Sequence, residues 1–224
     1  ITEAVRMSGV KKVYLVEKPF AAALGSNLPV YDPIGSMVVD IGGGTTDVAV
    51  VSLGGLVVSQ SIPVGGSKMD ESIINHIKRE FNMLIGDRTA EDVKIDLASA
   101  MPLTEDRSVH IRGRDLLSPQ AMDIEYTARQ AYQAIHEPCR AIIAAIRWVL
   151  ERTPPELAAD VMRTGIHLTG GVAQLYAMDQ YIANELGIPV LIAKEPADCT
   201  ALGLGYIVEN MPMLIQTGRM PQLG

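Results

Sequence analysis

Aromatic side chains are scarce in this chain, since Phe, Trp and Tyr together make up 4% of its 224 residues. The core must therefore be aliphatic, built from the Ile, Val, Leu, Ala and Met that dominate a hydrophobic content of 48%. Clusters of Lys and Arg are also lacking, and the formal net charge is −7. Because nucleic-acid binding requires a concentrated positive surface, we expect no nucleic-acid partner.

The chain has only two cysteines, Cys139 and Cys199, and neither belongs to a CxxC or Cys/His motif. This pattern excludes the usual zinc-binding motifs and favours reduced thiols over a disulfide. No run of about 18 apolar residues is present, so the sequence predicts no membrane-spanning helix. We therefore expect a cytoplasmic location.

The first residues predict a helix that ends near Gly9, followed by a strand at residues 13–16. A helix that feeds a strand is the second half of a β-α-β crossover. Because the first strand of such a crossover and an initiating Met are both lacking, we expect the chain to be a fragment.

The most informative segment is DIGGGTTD at residues 40–47, which follows the apolar residues 37–39. A short apolar run bounded by glycines predicts a buried strand. Glycines without side chains let successive backbone N–H groups converge on an anion, and threonine hydroxyls add donors. The candidate phosphate-binding residues are Gly42, Gly43, Gly44, Thr45 and Thr46.

Asp40 ends the predicted strand, where a carboxylate is costly unless it is paired. A hydrated Mg2+ carried by a nucleotide is a suitable partner, which makes Asp40 the candidate metal-binding residue, acting through water. From these residues alone, a glycine-rich β-turn with Asp40 bonded to the backbone remains an alternative.

Helix signals follow, with Ser67 and Thr89 as expected N-caps, and residues 106–124 predict short strands. Apolar residues then recur at spacings of three and four over residues 128–149, which predicts a long helical stretch packed in the core rather than a coiled coil. Pro138 interrupts this stretch and predicts two helices or a marked kink.

The last part predicts strands at residues 165–169 and 190–193 and helices at residues 172–186 and from Asp198 onward, with an appended helix and a frayed end after Met211. Strands that alternate with helices predict an α/β fold with an inserted α+β region. Glycine turns at Gly42 and Gly170 follow two predicted strands. Ligands of open α/β sheets bind at that edge.

Taken together, these elements resemble the actin-like ATPase superfamily, whose core is ribonuclease H-like. Residues 40–47 resemble its second phosphate loop and residues 168–173, LTGGVA, its adenosine loop. Glu91 and Lys94 lie where bacterial actins and chaperone ATPases contact ribose and adenine, and their spacing puts both on one helix face. For that pair alone, a solvated salt bridge remains an alternative. The resemblance adds these further nucleotide-binding candidates: Gly65, Gly66, Gly170, Gly171, Val172 and Ala173.

Within the superfamily the chain most resembles the MreB family. Residues 17–25 are similar to its EEPMAAAIG segment, residues 86–91 to GERTAE and residues 153–157 to TPPEL. Membership implies a protein that binds ATP and Mg2+ and assembles with its own copies into membrane-associated filaments. Such filaments organise the cell-wall elongation machinery at the inner membrane surface and maintain rod shape, so the intact protein would be cytoplasmic and membrane-associated.

The resemblance also implies a domain division. Residues 1–67 and 161–224 would form the actin-like subdomain that carries both loops, and residues 68–160 would form an inserted subdomain. The N-terminal domain of the family, with the first phosphate loop, would be missing. Half of the phosphate clamp should bind nucleotide weakly.

Two positions depart from the family pattern. Lys18 stands where the family carries the acid that positions the attacking water, and Glu17 beside it is a weak substitute, so we expect slow or absent hydrolysis. Val172 stands where relatives commonly carry glycine, and a β-branched residue there predicts ordinary backbone geometry. A small-molecule kinase and a chaperone-type ATPase of the same superfamily remain alternative functions, although Lys18 counts against a kinase.

Overall fold

The computed structural model describes residues 2–10, 12–105, 107–118 and 120–218. Its helices are α1 (Thr2–Arg6), α2 (Lys18–Gly25), α3 (Gly66–Phe81), α4 (Asp87–Leu97), α5 (Ala128–Arg152), α6 (Pro155–Thr164), α7 (Met178–Leu186) and α8 (Cys199–Gln216), with a 3-10 turn at Gly171–Gln174. Its strands are β1 (Ser36–Ile41), β2 (Thr46–Ser52), β3 (Gly55–Ile62), β4 (Met83–Leu84), β5 (Ser108–Asp115), β6 (Ala121–Thr127), β7 (Ile166–Thr169) and β8 (Val190–Ile192).

A five-stranded mixed sheet in the order β3-β2-β1-β7-β8 forms the centre. β1 is buried along its whole length, which explains its unbroken apolar sequence, since strands covered on both faces do not alternate. β1 pairs antiparallel with β2 and parallel with β7, with Asp40 opposite Thr169. The glycine loops that follow β1 and β7 therefore start at the same edge of the sheet, as the sequence predicts.

A second, antiparallel sheet in the order β4-β5-β6 lies within the segment predicted to be an α+β insertion. The apolar stripe of α5 belongs to the same buried cluster as strands β1 and β2, so its role in core packing is confirmed. Its buried members are Ala128, Ala131, Ile135, Cys139, Ile142, Ile146 and Val149.

Helix α5 runs through Pro138 without a break, so of the two expected outcomes, two helices or a marked kink, the division into two helices is wrong. A proline inside a helix costs about 3 kcal/mol. The helix tolerates this cost because it spans 25 residues with a long buried face and begins with a capping box between Thr127 and Gln130.

The N-caps expected at Ser67 and Thr89 are also wrong, because α3 and α4 begin after Gly65 and Gly86. Neither cap uses a side-chain hydrogen bond. At α3, backbone carbonyls from the β1–β2 hairpin accept the first N–H groups instead, so tertiary contact replaces the local signal.

Other local predictions fail for similar reasons. Residues 12–17 form no strand, since a strand needs a hydrogen-bonded neighbour and this segment is mostly exposed. The helix expected over residues 172–186 is a 3-10 turn and α7, separated near Ala177, which has a φ of 59°. α8 continues through Pro212 to its end, and the predicted frayed end beyond residue 218 lies outside the described residues.

Both cysteines are free, in agreement with the expected reduced thiols, and both are buried. Among the described residues, no helix has the length and apolar character needed to cross a membrane.

Candidate functional site

The two glycine loops are in direct contact. Gly170 has a φ of 84°, and a Cβ built on it would overlap the carbonyl oxygen of Ile41 and lie 2.6 Å from Asp40 Oδ1. A Cβ built on Gly66 would lie 3.7 Å from Gly43 Cα and 3.2 Å from Val172 Cγ2. The β1–β2 hairpin, the loop after β7 and the start of α3 therefore meet at one place.

The N-terminus of α3 is joined to the hairpin by backbone hydrogen bonds. The N–H of Gly66 donates to the carbonyl of Gly42 at 3.0 Å, and the N–H of Ser67 donates to that of Gly43 at 2.8 Å. Gly65 is needed before the helix because a Cβ there would lie 2.7 Å from the Gly43 oxygen. The first N–H groups of α3 are thus satisfied by the carbonyls of the hairpin, which fixes the helix against it.

A cavity of about 680 Å³ opens at this junction. Its volume suits a cofactor-sized ligand. The sequence-predicted residues that line it are Gly43, Gly66, Glu91, Lys94, Gly171 and Val172. Its wall also includes Asp70, Ile95, Leu175 and Tyr176, which sequence reasoning did not assign to the site.

The other predicted residues lie in the loops and not in the cavity wall. These are Gly42, Gly44, Thr45, Thr46, Gly65, Gly170 and Ala173. Thr46 is fully buried and its hydroxyl donates to the carbonyl of Val64 at 2.7 Å, so it holds the hairpin in place. Val172 keeps a negative φ, in agreement with its β-branched side chain.

Lys94 pairs with Asp70 and not with Glu91. Its Nζ lies 2.8 Å from Asp70 Oδ1 and donates to the carbonyl of Gly66 at 3.3 Å. Both side chains of this ion pair are largely buried, so the solvated salt bridge considered for Glu91 and Lys94 does not form. Asp70 could have been found from the sequence, since it lies four residues after the predicted site residue Gly66 and therefore on the same face of α3.

Lys18 stands between two acidic side chains of the hairpin. Its Nζ lies 2.9 Å from Asp40 Oδ2 and 2.8 Å from Asp47 Oδ2. Thr45 donates to Asp47 at 3.0 Å, and Thr200 donates to Asp40 at 3.4 Å. Asp40 and Asp47 are directly opposite in the β1–β2 register, which brings two like charges together and requires a cation between them.

The pKa values of this cluster follow from its hydrogen bonds. Burial alone would lower the pKa of Lys18, but hydrogen bonds to Asp47 and Asp40 outweigh burial and raise it. Burial alone would raise the pKa of Asp47, but hydrogen bonds from Lys18, Ser61 and Thr45 outweigh burial and lower it. The stabilisation by Lys18 is therefore lost only as pH rises through its raised pKa, and that by Asp47 only as pH falls through its lowered pKa.

The residues around Asp40 do not fit the expected metal site. Oδ2 of Asp40 is already in contact with the Lys18 ammonium and the Thr200 hydroxyl. Within the described ranges, no group of three or more His, Cys, Asp or Glu side chains is placed to hold a metal ion. Glu17, the other acidic candidate, is exposed and is the N-cap residue of α2, where its side chain makes no capping hydrogen bond.

Comparison with known proteins gives a consistent result. The family model described as MreB/Mbl protein matches residues 1–216. The cell shape-determining protein Mbl of Bacillus subtilis (strain 168) is 48% identical over 214 residues, which cover 96% of this chain and 64% of that protein. The cell shape-determining protein MreB of Escherichia coli (strain K12) is 44% identical, over 95% of this chain and 61% of that protein. The chain thus spans a little under two thirds of these relatives.

Solved structures agree with this result. MreB5 of Spiroplasma citri bound to ADP superposes with a TM-score of 0.91 at 34% identity, covering 96% of this chain and 65% of that one. The MamK double helical filament gives a TM-score of 0.73 at 21% identity, covering 92% of this chain and 62% of MamK, and supports the fold alone. These neighbours confirm the predicted actin-like α/β fold. With a family match over nearly its whole length and glycine loops on adjacent parallel strands, the chain belongs to the MreB/Mbl family.

Proposed function

We propose that this chain is the nucleotide-binding part of an ATP-dependent, actin-like cytoskeletal protein that determines cell shape. The observation that carries the proposal is the shared cavity, in which Gly43, Gly66 and Gly171 line one space. The names of the curated relatives support the cell-shape role, and the Spiroplasma citri MreB5 structures with ADP and AMPPNP support nucleotide binding.

Each part of the cavity has a proposed role. Gly43 of the hairpin and Gly66 at the start of α3, which both line the cavity, face the phosphates, and the ammonium of Lys94 beside Gly66 supplies positive charge there. Gly42, Gly44, Thr45, Thr46 and Gly65 shape the loops that carry them. Residues 170–173 hold the adenosine. Glu91 and Lys94 on α4 contact ribose and adenine.

The domain arrangement is also a proposal. Residues 1–67 and 161–224 form the actin-like subdomain, residues 68–160 form the inserted subdomain, and a further N-terminal domain supplies the first phosphate loop. The complete protein would assemble with its own copies into filaments at the inner membrane surface, where it organises the cell-wall elongation machinery.

Removal of the Lys94 ammonium tests the nucleotide site. The Lys94→Met variant should bind a fluorescent ATP analogue at least about tenfold more weakly, because a charged hydrogen bond contributes about 1.5–3 kcal/mol. The measurement is a fluorescence titration of the chain at high protein concentration. A thermal unfolding scan of the variant separates loss of binding from loss of folding caused by the unpaired Asp70.

The matched control is Lys78→Met, which removes an exposed lysine from the other end of α3. Lys78 lies about 18 Å along the helix from Gly66, so its loss should leave the affinity unchanged. Equal affinity of the Lys94→Met variant and the unaltered chain would contradict the assignment of this cavity.

Hydrolysis is proposed to be slow because Lys18 carries the wrong charge to position a water or accept its proton. In the complete protein with both phosphate loops, Lys18→Glu should raise the rate of phosphate release at least about tenfold, since a positioned carboxylate contributes about 10²–10⁴. Lys78→Glu, with the same charge change far from the site, should leave the rate unaltered. If the unaltered protein releases phosphate as fast as the Lys18→Glu variant, Lys18 does not limit hydrolysis.

A further inference from the structure

The ammonium of Lys18 occupies the place between the two carboxylates of the hairpin. Asp40 and Asp47 face each other across the β1–β2 ladder, and Lys18 Nζ is within 2.9 Å of an oxygen of each. Both carboxylates are nearly buried, with 3% and 12% of their side chains exposed. Two acids in this environment need a cation, and the chain itself provides it.

This ammonium also lies next to the phosphate hairpin. A Cβ built on Gly42, the first glycine, would lie 3.4 Å from Lys18 Nζ. The Lys18 side chain is 42% exposed and lies outside the wall of the cavity, beside the hairpin whose Gly43 lines it, so a phosphate that extends from the cavity past Gly43 can approach it. An ammonium has three donors, and two are directed at the carboxylates, which leaves the third for a phosphate oxygen.

A divalent metal ion would bind unfavourably at the position that the Lys18 ammonium occupies. One oxygen of each carboxylate, Oδ2 of Asp40 and of Asp47, already binds Lys18, and a metal placed a few ångströms from the ammonium would be repelled in this partly buried site.

We propose that Lys18 is a built-in cation that closes this position to divalent metal, so that the chain binds the phosphates of a nucleotide without requiring a metal ion. The proposal rests on the nucleotide-binding function proposed above. It names a specificity of the site, which accepts free nucleoside triphosphate or diphosphate as well as the Mg2+ complex, where a carboxylate-lined site would select the Mg2+ complex.

The first measurement is the affinity for a fluorescent ATP analogue in saturating Mg2+ and in EDTA. The dissociation constant of the unaltered chain should differ by less than about threefold between the two buffers. The Lys18→Glu variant should bind the analogue at least about tenfold more weakly in EDTA than in Mg2+. The charge-matched control, Lys78→Glu, should behave like the unaltered chain. A loss of about tenfold or more in EDTA for the unaltered chain, reversed by Mg2+, would overturn the proposal.

The second measurement uses metal alone, so it does not depend on nucleotide. Mn2+ binding is followed by electron paramagnetic resonance of the free ion. In the unaltered chain, any Mn2+ binding should be the same with and without the Asp40→Asn substitution. The Lys18→Glu variant should gain a Mn2+ site, and the double variant with Asp40→Asn should lose that site. A Mn2+ site in the unaltered chain that depends on Asp40 would overturn the cation assignment.

The two measurements separate the two proposals. If no nucleotide binds in either buffer, the nucleotide-binding function is contradicted and metal-free nucleotide binding is overturned with it. The Mn2+ result in that case still decides whether Lys18 excludes a metal from the hairpin.

Discussion

Replacement of Gly170 by alanine is expected to lower the free energy of unfolding by about 3–5 kcal/mol and to abolish nucleotide binding. Gly170 has a φ of 84°, which costs a residue with a side chain, and its Cβ would overlap the Ile41 carbonyl and approach Asp40 Oδ1 to 2.6 Å. Both neighbours belong to the central strand β1, which cannot move aside without disturbing the sheet. Urea unfolding followed by circular dichroism measures the loss.

The neighbouring glycine provides a matched control. Gly171 has no positive φ, and a Cβ built on it meets nothing within 4 Å. Gly171→Ala should therefore change the free energy of unfolding by less than about 0.5 kcal/mol. If the two variants unfold at the same urea concentration, the close approach of the β7 loop to β1 is not what requires glycine at position 170.

The second large effect is expected at the crossing of α2 and α8, where Gly203→Ala should cost about 3 kcal/mol, the upper end of overpacking penalties. A Cβ on Gly203 would overlap the carbonyl oxygen of Ala21 and lie 3.0 Å from the Gly25 nitrogen. Because these are backbone atoms of α2, the helices must separate to accept the methyl group. Since α2 begins at Lys18, its displacement should also disturb the contacts of Lys18 with Asp40 and Asp47.

Gly205 lies in the same helix and gives the opposite expectation. A Cβ built there meets nothing within 4 Å, so Gly205→Ala should stabilise the chain by about 0.5–1 kcal/mol through helix propensity. Thermal or urea unfolding of both variants shows whether each substitution raises or lowers the free energy of unfolding. A destabilisation of similar size at both positions would show that general helix effects, and not the α2–α8 contact, determine the outcome.

The parts of the fold that could be predicted from the sequence are those set by local patterns. The apolar run before Gly42 and the strand before Gly170 were found because buried parallel strands have a simple signature. Their common edge then followed from α/β topology.

The local predictions that were wrong depend on tertiary contacts between distant parts of the chain. The cap expected at Ser67 is replaced by hairpin carbonyls that no local pattern reveals, and the continuity of α5 through Pro138 depends on a long buried face. Residues 12–17 lack a neighbouring strand within the described chain, so their apolar pattern does not become a strand.

In the candidate site, too, the local features could be predicted from the sequence and the long-range contacts could not. Its glycines could be assigned from spacing, but the bridge from Lys18 to Asp47 joins residues 29 positions apart. The unusual charge of Lys18 was visible in the sequence, whereas its role became apparent only with its two partners. The opposed pair of Asp40 and Asp47 could have been inferred from the sequence, since a hairpin with a four-residue loop at 42–45 pairs Ile41 with Thr46 and therefore Asp40 with Asp47.

The most direct measurement is an ATP titration of the 15N-labelled chain followed by amide chemical shifts. We expect the amides of Gly43, Gly66 and Gly171 to shift together and to saturate with one dissociation constant, since all three line one cavity. Shifts confined to another surface, such as the groove at Arg112 and Arg114, or no shifts at all, would contradict a nucleotide site between the two glycine loops.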